Sequence, residues 1–373
     1  MKITIAQGAF FPVPPLMGGA VEKIWFALGA EFARRGHEVV HISRRCRDLP
    51  REETLDGVRH LRVPGADAPQ SLLALKGLDL LYSLRVLPVL PEADILVTHT
   101  FFLPILARRK HWGKLYVHAA RYPKGQMRFY GHAARIQTVS GPIREAIVRE
   151  VPHLASKVIS IPNPLPGEVA SVPPQPRPAG AEKRLLYVGR VHPEKGIGLL
   201  LDAFALLPAS LRAGWKLVVV GPAEARYGGG GDDYLAELKK RAGSLPVEWT
   251  GAVFEPERLH AHYREASLFV YPSLAEKGET FGLAPLEAMA QGCPALVSAL
   301  DCFGDFIENG VNGWVFDHRA AAPAQALAAR LGELMGTPAL LAQAAPRAWE
   351  TSARFSVERV AGMYLDDFQS LLG

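Results

Sequence analysis

The stretch that decides the fold is Ser267–Pro294, SLFVYPSLAEKGETFGLAPLEAMAQGCP. Ser267–Tyr271 is a short apolar run of β-formers closed by Pro272-Ser273, and it reads as a strand. A polar loop, Leu274–Thr280, follows. Leu286, Ala288, Met289 and Ala290 then read as helical, with Gly292 and Pro294 as stop signals. Pro285 is tolerated only near a first turn, so the helix starts within Phe281–Ala284. That start aims the backbone N–H groups of Phe281, Gly282 and Leu283 at the loop, and a helix N-terminus binds anions. Glu279 and Glu287 flank these amides with seven residues between them. Glu287 offers two acceptor oxygens to a vicinal diol, and Glu279 reaches the other side of the anion pocket. A ribose, a diphosphate and a sugar laid in that order fit the constellation. An arbitrary pair of glutamates so spaced is a solvated loop residue and a surface helix residue, so the rest of the chain decides.

The chain has 373 residues, which suggests two domains. Its 49% hydrophobic and 21% charged content places it among globular proteins rather than disordered or fibrous ones. No run approaches the roughly 18 apolar residues of a spanning helix. Residues 1–10 read as a first strand rather than a signal peptide. Cys46, Cys293 and Cys302 are too few and too scattered for a disulfide framework, so a reducing cytoplasm fits best. The net charge of +5 is uneven. Residues 1–163 carry 23 Lys+Arg against 13 Asp+Glu, whereas residues 164–373 carry 19 against 24. A basic front half points to an anionic partner, a membrane surface, a lipid phosphate or nucleic acid, or is simply a scattered basic surface. Its clusters, Arg34-Arg35, Arg44–Arg47 and Arg108–Lys110, lack the alternating aromatics of a single-strand binder, so no nucleic acid is expected.

In the first half, Lys2–Gln7 reads as a strand, Phe10–Gly19 as a loop and Ala20–Arg35 as a helix. Val21, Ile24, Trp25, Leu28 and Phe32 share one face of that helix. Gly36 ends it and His37–Ser43 is the next strand, giving a β-loop-α-β unit and hence a parallel sheet. Further strands are expected at Ile95–Thr98, Leu115–His118 and Ile136–Val139. Gly18-Gly19 precede the helix, where glycines let backbone approach a phosphate or sugar closely; the alternative is a plain helix start. His99 and His118 each end a strand of one sheet, beyond whose carboxyl ends ligands bind. A histidine at a strand end is also often structural. Arg121 and Lys124, in ARYPKGQ, form a loop able to hold an anionic acceptor or merely a solvated one.

Asn163–Ala181, rich in Pro, Ala and Gly, reads as an interdomain connection. Beyond it strands are expected at Leu185–Val188, Lys216–Val220, Glu248–Gly251, Leu268–Tyr271 and Ala295–Ser298. They alternate with helices as a second parallel, Rossmann-like domain. Arg190 and Lys195 follow its first strand and can converge on a diphosphate, Arg190 as a bidentate fork and Lys195 as a point charge. Gly228–Gly231 reads as a flexible loop rather than a phosphate cradle. No Asp-x-Asp pair ends a strand, so no metal is expected. Asp301–Gly313 reads as a loop at the same strand ends. Phe355–Leu372 is an amphipathic helix with Val357, Val360, Met363, Tyr364, Phe368 and Leu371 on one face.

These pieces in this order resemble the retaining glycosyltransferases of GT-B type, in the large family numbered four. Carrying the resemblance are GG at Gly18-Gly19, RGHEV at Arg35–Val39, VS at Val139-Ser140 and IPNPL at Ile161–Leu165. So do VGRVHPEKG at Val188–Gly196, Tyr271–Pro294 and FGDFIENGVNGWVF at Phe303–Phe316. The two glutamates with FG between them are the most specific element. The resemblance implies an α/β chain of two Rossmann-like domains facing across a cleft. Residues 1–165 would form the acceptor domain, 166–183 the linker and 184–354 the donor domain, with helix 355–373 crossing back to the first. It implies that Arg190 and Lys195 hold the donor diphosphate and Glu287 the ribose. Glu279 and the amides at Phe281, Gly282 and Leu283 would contact sugar and phosphate, His118 the donor sugar, and Gly18-Gly19 the diphosphate and acceptor side. Val253 and Thr280 join the donor set, and His99, Arg121 and Lys124 the acceptor side. Glu279, His118, Arg190 and Lys195 are the catalytic candidates. Where the family usually has Gly-Gly and then Glu, this chain has Phe303-Gly304-Asp305.

The expectation is therefore metal- and cofactor-independent transfer of a hexose from a nucleotide sugar, preferably UDP-linked, to a glycan, lipid-linked or small-molecule hydroxyl. An anionic membrane surface at the inner face is the further partner expected. The competing readings are a sugar phosphorylase or epimerase on the same scaffold, and a non-catalytic nucleotide-sugar-binding protein.

Overall fold

The computed structural model describes residues 1–17, 19–46, 49–165, 180 and 182–373. The chain divides into two compact units, Met1–Glu168 with Phe355–Gly373, and Val169–Arg354.

Among its described residues the first unit holds eight strands: β1 (Lys2–Ala6), β2 (Glu38–Arg44), β3 (Glu52–Leu55), β4 (Val58–Val63), β5 (Ile95–Thr98), β6 (Lys114–Ala119), β7 (Arg135–Thr138) and β8 (Val158–Ser160). They form one sheet in the order β3-β4-β2-β1-β5-β6-β7-β8. Every pairing is parallel except β3 with β4. The chain reverses direction across the sheet between β1 and β5. That is the switch point where ligands gather in doubly wound sheets. Helix Ala20–Arg34 buries Ile24, Trp25, Leu28 and Phe32, the face expected from its spacing. The C-terminal helix, Val357–Leu372, lies beside it. Trp25 meets Tyr364 ring to ring at 5.0 Å, Phe32 meets Phe368 at 5.9 Å, and Arg135 pairs with Asp367 at 2.6 Å. Val360, Ala361, Tyr364 and Phe368 are buried, but Met363, expected on that face, is 46% exposed.

The second unit holds β9 (Lys183–Val188), β10 (Trp215–Val220), β11 (Val247–Gly251), β12 (Leu268–Tyr271), β13 (Ala295–Ser298) and β14 (Gly313–Phe316). Their order is β11-β10-β9-β12-β13-β14, all parallel, with the switch point between β9 and β12. Strands β9, β10, β12 and β13 are buried nearly throughout, as near-continuous apolar runs in a sheet covered on both faces must be, whereas the edge strand β11 is only half-buried to exposed.

Several elements go beyond the sequence reading. The β3–β4 hairpin turns at Asp56-Gly57, whose φ values of 49° and 76° are what a tight two-residue hairpin turn requires. Helix Leu72–Val86, the helices Pro323–Gly336 and Pro338–Ser352, and β14 are likewise additions. The segment expected as a loop at Asp301–Gly313 opens with a 3₁₀ turn, Asp301–Asp305. Most of the expected linker, residues 166–179 and 181, lies outside the described residues, and β9 already starts at Lys183.

Candidate functional site

Each unit gathers polar side chains where its sheet changes direction. In the second unit, β9 leads through Gly189 and Arg190 to the 3₁₀ turn Pro193–Lys195, and β12 leads to Pro272 and the loop ahead of helix Leu283–Ala290. Gly196 joins the two. It sits at φ 72°, and a Cβ there would lie 2.0 Å from the Pro272 carbonyl oxygen, so only glycine fits. The same holds at Gly282, φ 90°, where a Cβ would lie 2.4 Å from the Phe303 ring. Phe303 of the divergent Phe303-Gly304-Asp305 run thus packs directly beneath the helix start.

Lys195 Nζ donates to Glu279 Oε2 at 2.7 Å, with both side chains about nine-tenths buried. The hydroxyl of Tyr271 donates to the same oxygen at 3.1 Å and that of Ser273 at 3.4 Å. Lys195 Nζ also lies 5.5 Å from the centre of the Tyr271 ring, which stacks on Tyr187. All three donors fall on Oε2, and Oε1 is the oxygen they leave. Burial raises the Tyr271 phenol well above its ordinary range, and the Glu279 carboxylate adds to the effect, so the hydroxyl stays a donor.

Glu279 and Lys195, expected on opposite parts of one ligand, are thus direct partners. Arg190, expected to converge with Lys195, instead donates to Glu194 Oε1 at 2.7 Å and to the Gly228 carbonyl at 2.6 Å. Gly228–Gly231 is no free loop: Gly229 N–H donates to Glu224 O and Gly230 N–H to Val191 O. A Cβ at Gly228 would come 2.9 Å from Arg190 Nη1, so this run packs against the arginine.

Glu287 lies half-buried in the second turn of the helix and accepts from the Tyr263 hydroxyl at 2.9 Å. Gly282 is the N-cap residue, and no side chain caps the helix start. Thr280 and Val253 are half-buried, Val253 just past β11, and Phe281 is buried against Phe306. Sequence reasoning misses Tyr263, Tyr271 and Ser273. The last two lie inside the opening stretch, where Tyr-Pro-Ser reads only as the end of a strand.

The loop bearing Glu279 is clamped from its outer side. Arg319 Nε and Nη2 each donate to Glu276 at 2.7 Å, Arg319 Nη1 donates to Ala299 O at 2.6 Å, and His318 Nε2 lies 3.0 Å from Glu276 Oε1. The guanidinium holds the Glu276 carboxyl below the usual range.

In the first unit, Gln7, His99 and His118 follow or end β1, β5 and β6. His99 and His118 meet edge to face at 4.9 Å, and Trp25 packs on both at 4.9 and 5.4 Å. Gln137 Nε2 donates to the carbonyls of Thr138 (2.6 Å) and Ile161 (2.8 Å). Its Oε1 therefore faces His118 Nδ1 at 2.5 Å as the acceptor. The amide thus selects the ring form protonated at Nδ1 and leaves Nε2 as a lone-pair acceptor. Burial holds the His118 ring neutral, pushing its pKa down to about 4 despite the Gln137 bond, and lowers His99 well below the usual range. Gly18 lies outside the described residues. Gly19 sits at φ 93°, in the region that favours glycine, and the end of the flexible Glu22 side chain lies 2.1 Å from where a Cβ would be. Arg121 and Lys124 are exposed; the structure records a charge interaction of Arg121 with Glu22 and a bond from the Lys124 backbone N–H to Gln126. Among the described residues no three His, Cys, Asp or Glu gather as a metal site, and no helix is long and apolar enough to cross a membrane.

Residues 171–350 match the family model described as glycosyl transferases group 1. A lipopolysaccharide 1,2-N-acetylglucosaminetransferase of Salmonella typhimurium is 37% identical over 131 residues, 35% of this chain and 34% of the relative. A lipopolysaccharide core biosynthesis mannosyltransferase of Rhizobium meliloti is 30% identical over 197 residues, 52% and 53% of the two chains. A D-inositol 3-phosphate glycosyltransferase of Streptomyces griseus is 34% identical over 177 residues, 45% and 36%. The chain thus spans about a third to a half of the curated relatives it matches. Among solved structures, sucrose-phosphate synthase of Thermosynechococcus elongatus superposes with a TM-score of 0.80 at 19% identity, covering 100% of this chain and 99% of that one. Anabaena HepE in complex with UDP and glucose superposes with a TM-score of 0.72 at 18% identity, covering 99% and 100%. The fold is that of the GT-B glycosyltransferases, with two Rossmann-like units.

Proposed function

We propose that this chain, whose residues 171–350 match the family model of the glycosyl transferases group 1, moves a hexose from a nucleotide diphosphate sugar to an acceptor hydroxyl with retention at the anomeric carbon. The observation that carries the reading is the buried Lys195–Glu279 pair at the switch point of the second sheet, beside the uncapped helix start at Gly282 and one helix turn from Glu287. In this reading Glu287 takes the ribose diol, and the helix start and Lys195 take the diphosphate. Glu279 faces the sugar through Oε1. Arg190 joins the diphosphate by exchanging its Glu194 contact.

The chemistry follows from charge. The bond from the anomeric carbon to the phosphate oxygen breaks, the acceptor oxygen bonds to that carbon, and the acceptor proton passes to the leaving phosphate oxygen. Negative charge grows on the diphosphate, where Lys195, Arg190 and the helix N-terminus stabilise it in a fixed array. Positive charge grows on the ring, where Glu279 is the nearest fixed carboxylate in this assignment. The array supplies this neutralisation from the chain's own residues, without metal. His118 Nε2, a neutral acceptor, suits a sugar hydroxyl. Relatives named for lipopolysaccharide and for inositol 3-phosphate support a glycan, lipid-linked or small-molecule acceptor. The thiols of Cys46, Cys293 and Cys302 suit a reducing cytoplasm.

The test is release of nucleoside diphosphate from a panel of nucleotide sugars, UDP-linked first, with and without acceptor glycans. Acceptor-dependent release is expected. Turnover requiring inorganic phosphate and no nucleotide sugar would overturn the reading in favour of a phosphorylase, and saturable binding with no turnover on any acceptor would reduce it to a binding protein.

A further inference from the structure

Helix Leu72–Val86 of the first unit is apolar on both sides. Asp79, Tyr82, Ser83 and Val86 face inward and are buried. On the other side Leu73, Leu81 and Leu84 are 83%, 43% and 49% exposed, and Leu72, at the start of the helix, is 77% exposed. Leu73, Gly77, Leu81 and Leu84 are spaced i, i+4, i+8, i+11, so they form one outward stripe. The helix carries three charged residues. Its acid, Asp79, is turned in, where it accepts from the backbone N–H groups of Phe101 and Phe102. Lys76 and Arg85 are exposed and, at 3.6 residues per turn, flank the stripe on opposite sides. The surface continues beyond the helix. Lys76 Nζ lies 5.2 Å above the Phe101 ring, Phe101 lies 6.5 Å from Phe129, and Arg128 lies 5.0 Å above Phe129, which is 45% exposed.

We propose that this face is a peripheral docking surface for an anionic phospholipid bilayer. Leucines at the centre enter the headgroup–acyl boundary, the two flanking cations meet lipid phosphates, and Phe129 with Arg128 sits at the interface. A second copy of the chain does not suit the face: a two-fold contact would set Lys76 and Arg85 against Lys76 and Arg85 with no outward acid on the helix to offset them. The basic excess of residues 1–163 has the same sign as the face.

The test uses the full chain and vesicles of phosphatidylcholine with or without phosphatidylglycerol. The chain is expected to cosediment with the anionic vesicles, less so as salt rises, and at least about tenfold more weakly with plain phosphatidylcholine. Leu73→Glu with Leu84→Glu is expected to weaken binding to anionic vesicles at least about tenfold, and Lys76→Glu with Arg85→Glu to do the same, each with an unchanged melting temperature because the sites are exposed. Absence of wild-type binding at low salt overturns the proposal. So does equal binding by the leucine double variant, or a wild-type dimer that this variant converts to a monomer. Nucleoside diphosphate release with a soluble acceptor is scored separately, so failure here leaves the catalytic reading standing.

Discussion

At the scale of single residues, each unit holds a buried polar pair at its switch point. Lys195 on Glu279 keeps a cation and a carboxylate in place with two hydroxyls on one carboxylate oxygen. Gln137 on His118 fixes which ring nitrogen is the acceptor, and this gives a prediction. Gln137→Glu puts a carboxylate against Nδ1–H and favours the imidazolium, so the acidic limb of the kcat/KM profile is expected to move to higher pH, with activity near neutrality falling about tenfold. A loss of activity with the limb unmoved would make Gln137 merely structural. The charged residues themselves were legible, because Glu279, Glu287, Arg190 and Lys195 sit at fixed spacings from helix and strand signals. Their partners were not. That Lys195 meets Glu279 rather than Arg190's ligand, or that Tyr263 reaches Glu287, depends on which strands are neighbours across the sheet, and spacing along the chain does not carry that.

At the scale of elements, the loop Leu274–Thr280 is set by its outer clamp. Arg319 and Glu276 are each about half exposed, so their pair contributes little to global stability, under about 1 kcal/mol. Its effect falls on the loop it orders. Arg319→Ala is expected to raise the donor KM about fivefold with a melting temperature nearly unchanged, and Arg319→Lys, which lacks the fork, to recover only part of it. An unchanged KM in Arg319→Ala would remove the clamp from the account. Elements with a clean period were legible: helix Ala20–Arg34 and the buried strands β9, β10, β12 and β13. Helix Leu72–Val86 was not, because leucines on both faces erase the 3.6-residue contrast. The β3–β4 hairpin carried an Asp-Gly turn signal, but its strand Glu52–Leu55 is polar and exposed at the sheet edge, without the apolar alternation of a half-buried strand.

At the scale of the molecule, the two sheets share a topology but differ in what they bury. The first unit encloses His41, His60, His99 and His118; burial is the leading cause that lowers each, His60 and His118 to about 4. Each binds fewer protons folded than unfolded below pH 6.5, for His60 and His118 down to about pH 4, so its stabilisation is present above pH 6.5 and lost as pH falls below it. Asp79, raised to about 6 by burial, opposes them: its folded form binds more protons between about pH 4 and 6 and gains as pH falls. Glu22, raised by burial, acts in the same sense as Asp79; the four histidines outnumber these two acids, so the first unit is expected to lose stability on acidification. Hydrogen exchange at pH 7.5 and 5 should show strand β6 losing protection far more than β12; equal losses would contradict it. Two domains and a basic front half were legible from length and charge, whereas the buried histidines showed only once the sheet order was known. The proposed function rests on the second unit seating a nucleotide diphosphate, and calorimetric titration of the full chain with UDP tests that most directly. Saturable binding is predicted, weakened by about 1.5–3 kcal/mol, roughly 10- to 150-fold, in both Glu287→Ala and Lys195→Ala. Unchanged affinity in both variants would contradict it.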